Sequence, residues 1–290
     1  MLKKPSFFYT LILMLVVNIA YANSTFNSIP SSSLNSKKNI FTRLFLEGEW
    51  YASWGYNREF WSHANIHVVQ PSLGNNLTFH RVRGIDEFSS PVARDLFVPQ
   101  YNIRIGRFVN EARSVALELN LDHTRYNTAI GQIVQTTGTI DGRHFNQYLK
   151  LYENVFSEVL HNGANHLMLN AVYRFPLLGK VNETFSTAGI LKAGAGIMLP
   201  HTSTIVFDHP NDPGSKTWGH LLGTNSGWWQ LNGYTAGMEA GFRFIPYKPI
   251  YLEFTDKIAF SYFYNLPVYK GTIHQNLFMN EIIISLGFSF

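Results

Sequence analysis

Apolar and polar residues alternate with a period of two along eight segments of this chain, the pattern of strands with one oily and one polar face. The last segment, 277–290, is the cleanest: Ile282, Ile284, Leu286, Phe288 and Phe290 share one face, and Glu281, Ser285, Gly287 and Ser289 the other. In 44–57, Leu46, Trp50, Ala52, Trp54 and Tyr56 oppose Glu47, Glu49, Ser53 and Asn57. In 98–109, Tyr101, Ile103 and Ile105 oppose Gln100, Asn102 and Arg104; in 113–126, Val115, Leu117, Leu119 and Leu121 oppose Glu118, Asn120 and Asp122. In 164–176, Leu167, Leu169, Ala171, Tyr173 and Phe175 oppose His166, Asn170 and Arg174. The segment 183–199 is rich in Gly and Ala, with Lys192 on its polar face. In 230–245, Tyr234, Met238, Phe242 and Phe244 oppose Glu239 and Arg243. In 249–263, Ile250, Leu252, Phe254, Ile258 and Phe260 oppose Glu253 and Lys257.

The links between these segments alternate in length. Short ones fall at 110–112, 177–182 and 246–248, and long ones at 58–97, 127–163, 200–229 and 264–276. Short turns on one side of a membrane and long loops on the other are the rule for transmembrane antiparallel up-and-down β-barrels. The expected fold is therefore all-β, an eight-stranded barrel over 44–290 with long extracellular loops. Residues 66–69 and 77–82 would raise the count to ten if they crossed the membrane. They lack a clean lipid face, so a hairpin standing above the membrane is preferred.

The end of the chain resembles the carboxy-terminal signal of bacterial outer-membrane β-barrels, which typically ends in Phe. The other end reads as an export signal. Lys3 and Lys4 precede an apolar run from Phe7 to Ala22, and Ala20-Tyr21-Ala22 is a small-x-small cleavage site before Asn23. A retained anchor would need ~20 uninterrupted apolar residues, and Asn18 breaks this run. Residues 1–22 are thus expected to be a cleaved signal peptide and 23–43, rich in Ser and Asn, a periplasmic lead-in. The location this implies is the outer membrane of a Gram-negative cell.

Composition agrees with export into a bilayer. There is no Cys among 290 residues, so hydrogen bonding and packing replace any disulfide framework. Removing Lys3 and Lys4 with the signal leaves 21 basic against 19 acidic residues. That near-neutrality, without a basic run, argues against nucleic acid as a partner. Mean hydropathy is near zero, as expected where lipid-facing and lumen-facing residues alternate. The implied partners are outer-membrane lipids and lipopolysaccharide, with the barrel-assembly machinery during biogenesis.

The expected lumen gathers Glu47, Glu49, Arg104, Glu118, Asp122, Arg174, Lys192, Glu239, Arg243, Glu253, Lys257 and Glu281. Seven acids against five bases nearly balance. Side chains fill an eight-stranded barrel, and buried charge is costly unless paired, so a salt-bridged plug is expected. All eleven His residues fall in loops or near outer strand ends. No His-Glu-x-x-His or other ligand spacing occurs among them, and no metal or cofactor is expected.

His201-Thr202-Ser203 resembles the His-x-Ser arrangement of small outer-membrane lipid A deacylases, in which a nearby His activates a Ser nucleophile. The resemblance makes His201 and Ser203 candidate catalytic residues, although Pro200 suggests that the strand has ended before them. A wider likeness runs through Tyr51-Ala52-Ser53-Trp54-Gly55-Tyr56-Asn57-Arg58, Ile66-His67, Pro99-Gln100-Tyr101-Asn102-Ile103-Arg104-Ile105-Gly106 and Leu121-Asp122-His123. These stretches resemble an uncharacterised group of bacterial outer-membrane barrel proteins, which implies the architecture and leaves activity open. The expectation is a structural or surface-interaction protein rather than an enzyme. An outer-leaflet lipid-modifying enzyme is the alternative, and a narrow pore comes third.

Overall fold

The computed structural model describes residues 49–86, 100–180, 183–211, 222–223 and 228–290. The expected signal peptide, the 23–43 lead-in, Leu46 and Glu47 lie outside them. Ahead of residue 87 come β1 (Trp50–Trp61), β2 (Ala64–Gln70), β3 (Asn75–Val82) and the short β4 (Gly84–Ile85). Then follow β5 (Tyr101–Phe108), β6 (Val115–His123), β7 (Tyr126–Thr128), β8 (Ile133–Ile140) and β9 (Arg143–Lys150). The long β10 (Phe156–Leu178) and β11 (Ser186–Val206) precede three two-residue pieces, β12 (His209–Pro210), β13 (Leu222–Gly223) and β14 (Trp229–Gln230). β15 (Gly233–Tyr247), β16 (Ile250–Val268) and β17 (Gly271–Ser289) complete the chain.

Eight of these strands close into a ring: β1, β5, β6, β10, β11, β15, β16 and β17, with β17 pairing back onto β1. All eight pairings are antiparallel. Following register partners from Phe278 around the ring leads back to β17 at Phe288, ten residues farther along. The shear is therefore ten. Eight strands with that shear give a tilt of about 41° and a backbone radius of about 8 Å, at ~3.3 Å per residue and ~4.8 Å between strands. Ten residues on so tilted a strand rise about 25 Å, the height of the apolar band of an outer-membrane barrel.

The band itself is present. On β17, Phe278, Ile282, Ile284, Leu286, Phe288 and Phe290 are each between 41% and 54% exposed, while Glu281 and Ser285 are buried inside. Leu117 and Leu119 on β6, Leu169 and Tyr173 on β10, Met238 and Phe242 on β15, and Phe254 and Ile258 on β16 continue the outward surface. Large apolar side chains facing outward with charge inside is the reverse of a water-soluble fold, and it identifies a membrane barrel. The short connections at 109–114, 179–185 and 248–249 all lie at the end that also carries Trp50 and Phe290.

The upper half departs from the expected loops. Residues 264–276 do not form one: β16 runs on to Val268, Tyr269 and Lys270 turn, and β17 begins at Gly271. The stretch 127–163 holds the β8–β9 hairpin and the first residues of β10, and β11 passes through Pro200 to Val206. The hairpin of β2 and β3 stands above the membrane as expected. It joins β17 at Thr272 to Gln275, and β8 and β9 extend the same sheet. Ile66, Val68, Leu77, Phe79, Phe156, Phe263 and Ile273 form a dry core beneath this sheet. The barrel count stays at eight, because the extra strands stack above the ring rather than enter it.

Candidate functional site

The lumen is layered. At the short-turn end, Tyr51, Phe108, Ala116, Val172, Ile190, Ile245 and Tyr251 make an aromatic and aliphatic floor. Gly106 and Gly287 sit in register with Tyr51 and Tyr251, and a Cβ at either glycine would overlap the facing ring. The glycines let both rings lie flat across the neighbouring strand. Between the rings lies the Arg243 guanidinium, 4.6 Å from the Tyr51 centroid and 3.9 Å from that of Tyr251, a double cation–π contact. Arg174 stands 3.9 Å over Phe108 and donates two hydrogen bonds to the Arg113 carbonyl.

Above the floor the charges interlock. Lys192 Nζ lies 2.6 Å from Glu253, 3.2 Å from Glu118 and 3.2 Å from Glu239. Arg104 donates to Glu239 at 3.0 Å and has Glu118 and Asp122 within 3.8 Å. Arg243 forks onto Glu253 at 2.7 and 2.8 Å. Tyr51 Oη donates to Glu118 at 2.9 Å. Farther up, Lys257 pairs with Asp122 and lies 3.6 Å from Glu281. Asn120 and Asn170 satisfy Asp122 and Glu118 from the side. Every charged group in these two layers is at least nine-tenths buried.

Desolvating so many charges is affordable only because each meets an opposite charge at close range. The pairings also cross the lumen. Arg104 on β5 and Glu239 on β15 are separated by four strands, half the ring, as are Asp122 on β6 and Lys257 on β16. Side chains thus bridge a cylinder of about 8 Å backbone radius, a width that side chains are expected to fill.

The twelve lumen candidates therefore divide. Nine of them, Arg104, Glu118, Asp122, Lys192, Glu239, Arg243, Glu253, Lys257 and Glu281, are brought together. Arg174 is buried in the floor against Phe108 and the Arg113 carbonyl. Glu49 instead pairs with Arg113 at the rim, at 2.5 Å, and Glu47 lies outside the described residues. Tyr51, Tyr251 and Glu59 belong to the lumen and were missed. Tyr51 and Glu59 have the same parity as Ser53 and Asn57, so extending the alternation would have found them. Glu59 faces Glu281 directly across the β1–β17 seam.

His201 and Ser203 lie on β11 above the band. Ser203 is exposed, whereas His201 is covered by Trp228, whose ring centroid is 4.5 Å away and whose carbonyl takes Nδ1 at 2.7 Å. Nδ1 thus meets a backbone carbonyl where a nucleophilic Ser would need a carboxylate to orient its His. Among the described residues, no three His, Asp or Glu groups are placed to share a metal ion.

On the outside of the upper sheet, His67 and His274 face each other in register with ring centroids 6.1 Å apart. Burial, and then the neighbouring His274, hold the His67 imidazole below its usual pKa.

No protein-family model matches the chain, and no curated protein matches it. Among solved structures it is similar to the outer membrane protein AlkL, with 10% identity over 91% of this chain and 95% of that one and a TM-score of 0.36. Neisserial surface protein A is 10% identical over 83% and 97% of the two chains, with a TM-score of 0.35. Ail, the attachment invasion locus protein of Yersinia pestis, is 12% identical over 84% and 100%, with a TM-score of 0.31. Likeness at this level says nothing of activity, and the fold rests on the strand register above.

Proposed function

We propose that this protein is a surface-interaction protein of the Gram-negative outer membrane, in which a closed eight-stranded barrel anchors a folded extracellular sheet. The observation that carries this reading is the upper sheet with its own hydrophobic core. Crossing a bilayer requires none of it, so its many ordered residues point to work outside the cell. The lumen supports the same reading, because charges paired across the ring oppose a pore. The engagement of His201 with Trp228 gives no support to lipid modification at Ser203.

On this reading the chain is exported by residues 1–22 and inserted by the barrel-assembly machinery, both ends of the barrel lying on the periplasmic side. Its outward band then meets outer-membrane lipid and, on the cell-surface side, lipopolysaccharide. Cell fractionation with unheated gel electrophoresis tests it. The protein should sediment with the outer membrane, and its folded form should migrate differently from the boiled form, as a closed, fully hydrogen-bonded barrel would. Recovery as a soluble periplasmic monomer would end the proposal.

A further inference from the structure

The sheet β17-β2-β3-β8-β9 is two-sided, and its outward face has an unusual composition. His274, His67, Thr78, Thr137 and Asn146, one from each strand, stand in a single register row. Four strand spacings make that row about 19 Å long. Beside it lie His80 on β3, Gln135 on β8 and Tyr148 on β9, the last 72% exposed. Two charged side chains, His apart, stand at the outward positions of β2, β3, β8 and β9: Lys150 at the end of β9, and Arg81 at the bulge near the end of β3, on strands separated by β8.

Neighbours in these rows already hold one another. His67 Nδ1 meets Thr78 at 3.0 Å, His80 Nε2 meets Thr137 at 2.8 Å, and Gln135 donates to Asn146 at 3.3 Å. His67 and His80 each commit one ring nitrogen, and among the described residues the other has no hydrogen bond. Hydroxyls, imidazoles and amides both donate and accept hydrogen bonds. The face thus matches a ligand that does the same and carries no charge.

The geometry points to this face as a binding site for a neutral polysaccharide, its hydroxyls read by the Thr, Asn, Gln and His rows and one sugar ring stacked on Tyr148. This deepens the surface-interaction reading above and rests on it. The complementarity is one of charge and hydrogen bonding. An anionic glycan would call for Lys or Arg clustered within the rows, whereas Lys150 and Arg81 stand at strand ends with β8 between their strands. A protein partner would call for a contiguous apolar centre, whereas Val69 and Ile133 are separated on this face. A sugar ring offers a C–H face that an exposed Tyr can cover, and a ring of hydroxyls for the polar rows.

The test uses the full barrel in nanodiscs against immobilised dextran, galactomannan and laminarin, with heparin as the anionic comparator. At least one neutral polysaccharide should retain the protein. Tyr148→Ala and the double variant Gln135→Ala/Asn146→Ala should each weaken that binding tenfold or more, and Lys180→Ala, exposed at the short-turn end, should leave it unchanged. The substituted side chains are exposed, and heat-modifiable migration verifies that each variant is folded. Binding to heparin alone, to none of the four, or to a neutral polysaccharide equally in all variants overturns the inference. Because the chain has no Cys, Gln147→Cys reports separately on exposure through a membrane-impermeant maleimide on intact cells. Labelling without polysaccharide binding defeats the glycan inference alone. Absence of labelling defeats the surface reading with it.

Discussion

Lys257 and Asp122 project from opposite walls of the barrel, four strands apart in either direction around the ring, and their side chains meet inside the lumen. Glu281, on the strand next to Lys257, lies on the same ammonium at 3.6 Å. One buried lysine therefore serves two carboxylates on two walls.

Removing that lysine should be expensive. Lys257→Ala leaves Asp122 with Arg104 at 3.8 Å and the Asn120 amide, and Glu281 facing Glu59, at a cost of about 3–5 kcal/mol for a fully buried pair. The variant Lys257→Met/Asp122→Asn, which removes both charges at similar volume, should recover much of the loss. Urea unfolding in micelles measures both. A single variant as stable as wild type would show that the pair contributes nothing.

The cross-lumen pairs also predict the electrical behaviour. In planar bilayers the wild-type protein should conduct little or not at all, because side chains fill a barrel of eight strands. Lys257→Ala should lower stability without opening appreciable conductance, since Arg104 and Lys192 still bridge the layer below. A stable nanosiemens-scale channel from the wild type would make the pore reading the better one.

At the short-turn end, Phe290 and Trp50 exchange two backbone hydrogen bonds, 2.8 and 2.9 Å, that finish the β1–β17 seam. Deleting Phe290 removes both, together with an outward aromatic ring. Ser289→Ala keeps the backbone pairing intact. Folded protein in the outer membrane should fall sharply for the deletion and stay near normal for Ser289→Ala. Similar, near-normal amounts of both would contradict the assigned seam and register.

The upper sheet should be sensitive to acid. His67 has its pKa lowered in the folded state, so the folded protein binds fewer protons there than the unfolded chain. The stabilisation is complete above the ordinary value of 6.5 and is lost as pH falls through the lowered one. The protection factors of the β2 amides should therefore fall between pH 7.5 and pH 5, while those of the membrane-band strands hold. His67→Gln should flatten that dependence. An unchanged profile in the variant would assign the effect to other groups.

Much of the lower barrel was legible because the bilayer imposes one rule on every strand. Ile284 to Phe290 alternate cleanly since each outward position meets lipid and each inward one meets a narrow lumen. Parity alone put Arg104, Lys192 and Lys257 inside. It could not pair them. Which acid Lys257 meets depends on shear, which brings Asp122 on the far wall level with it.

Above the membrane the rule inverts, and there the linear pattern misled. On β17 the apolar side chains at even positions from 278 to 290 face outward, whereas above them Ile273 and Leu277 face inward and Thr272, His274 and Asn276 face away from the core. A search for lipid-facing alternation reads the upper part as loop. The sequence by itself determined the eight crossings, the side on which the long connections lie and the polar character of the lumen, because lipid enforces these locally, residue by residue. Only the tertiary structure decided the partners across the lumen, the dry core above it and the polar face of the outer sheet. Each of these joins strands distant in the chain, and their contacts follow from closure and shear rather than from neighbouring residues.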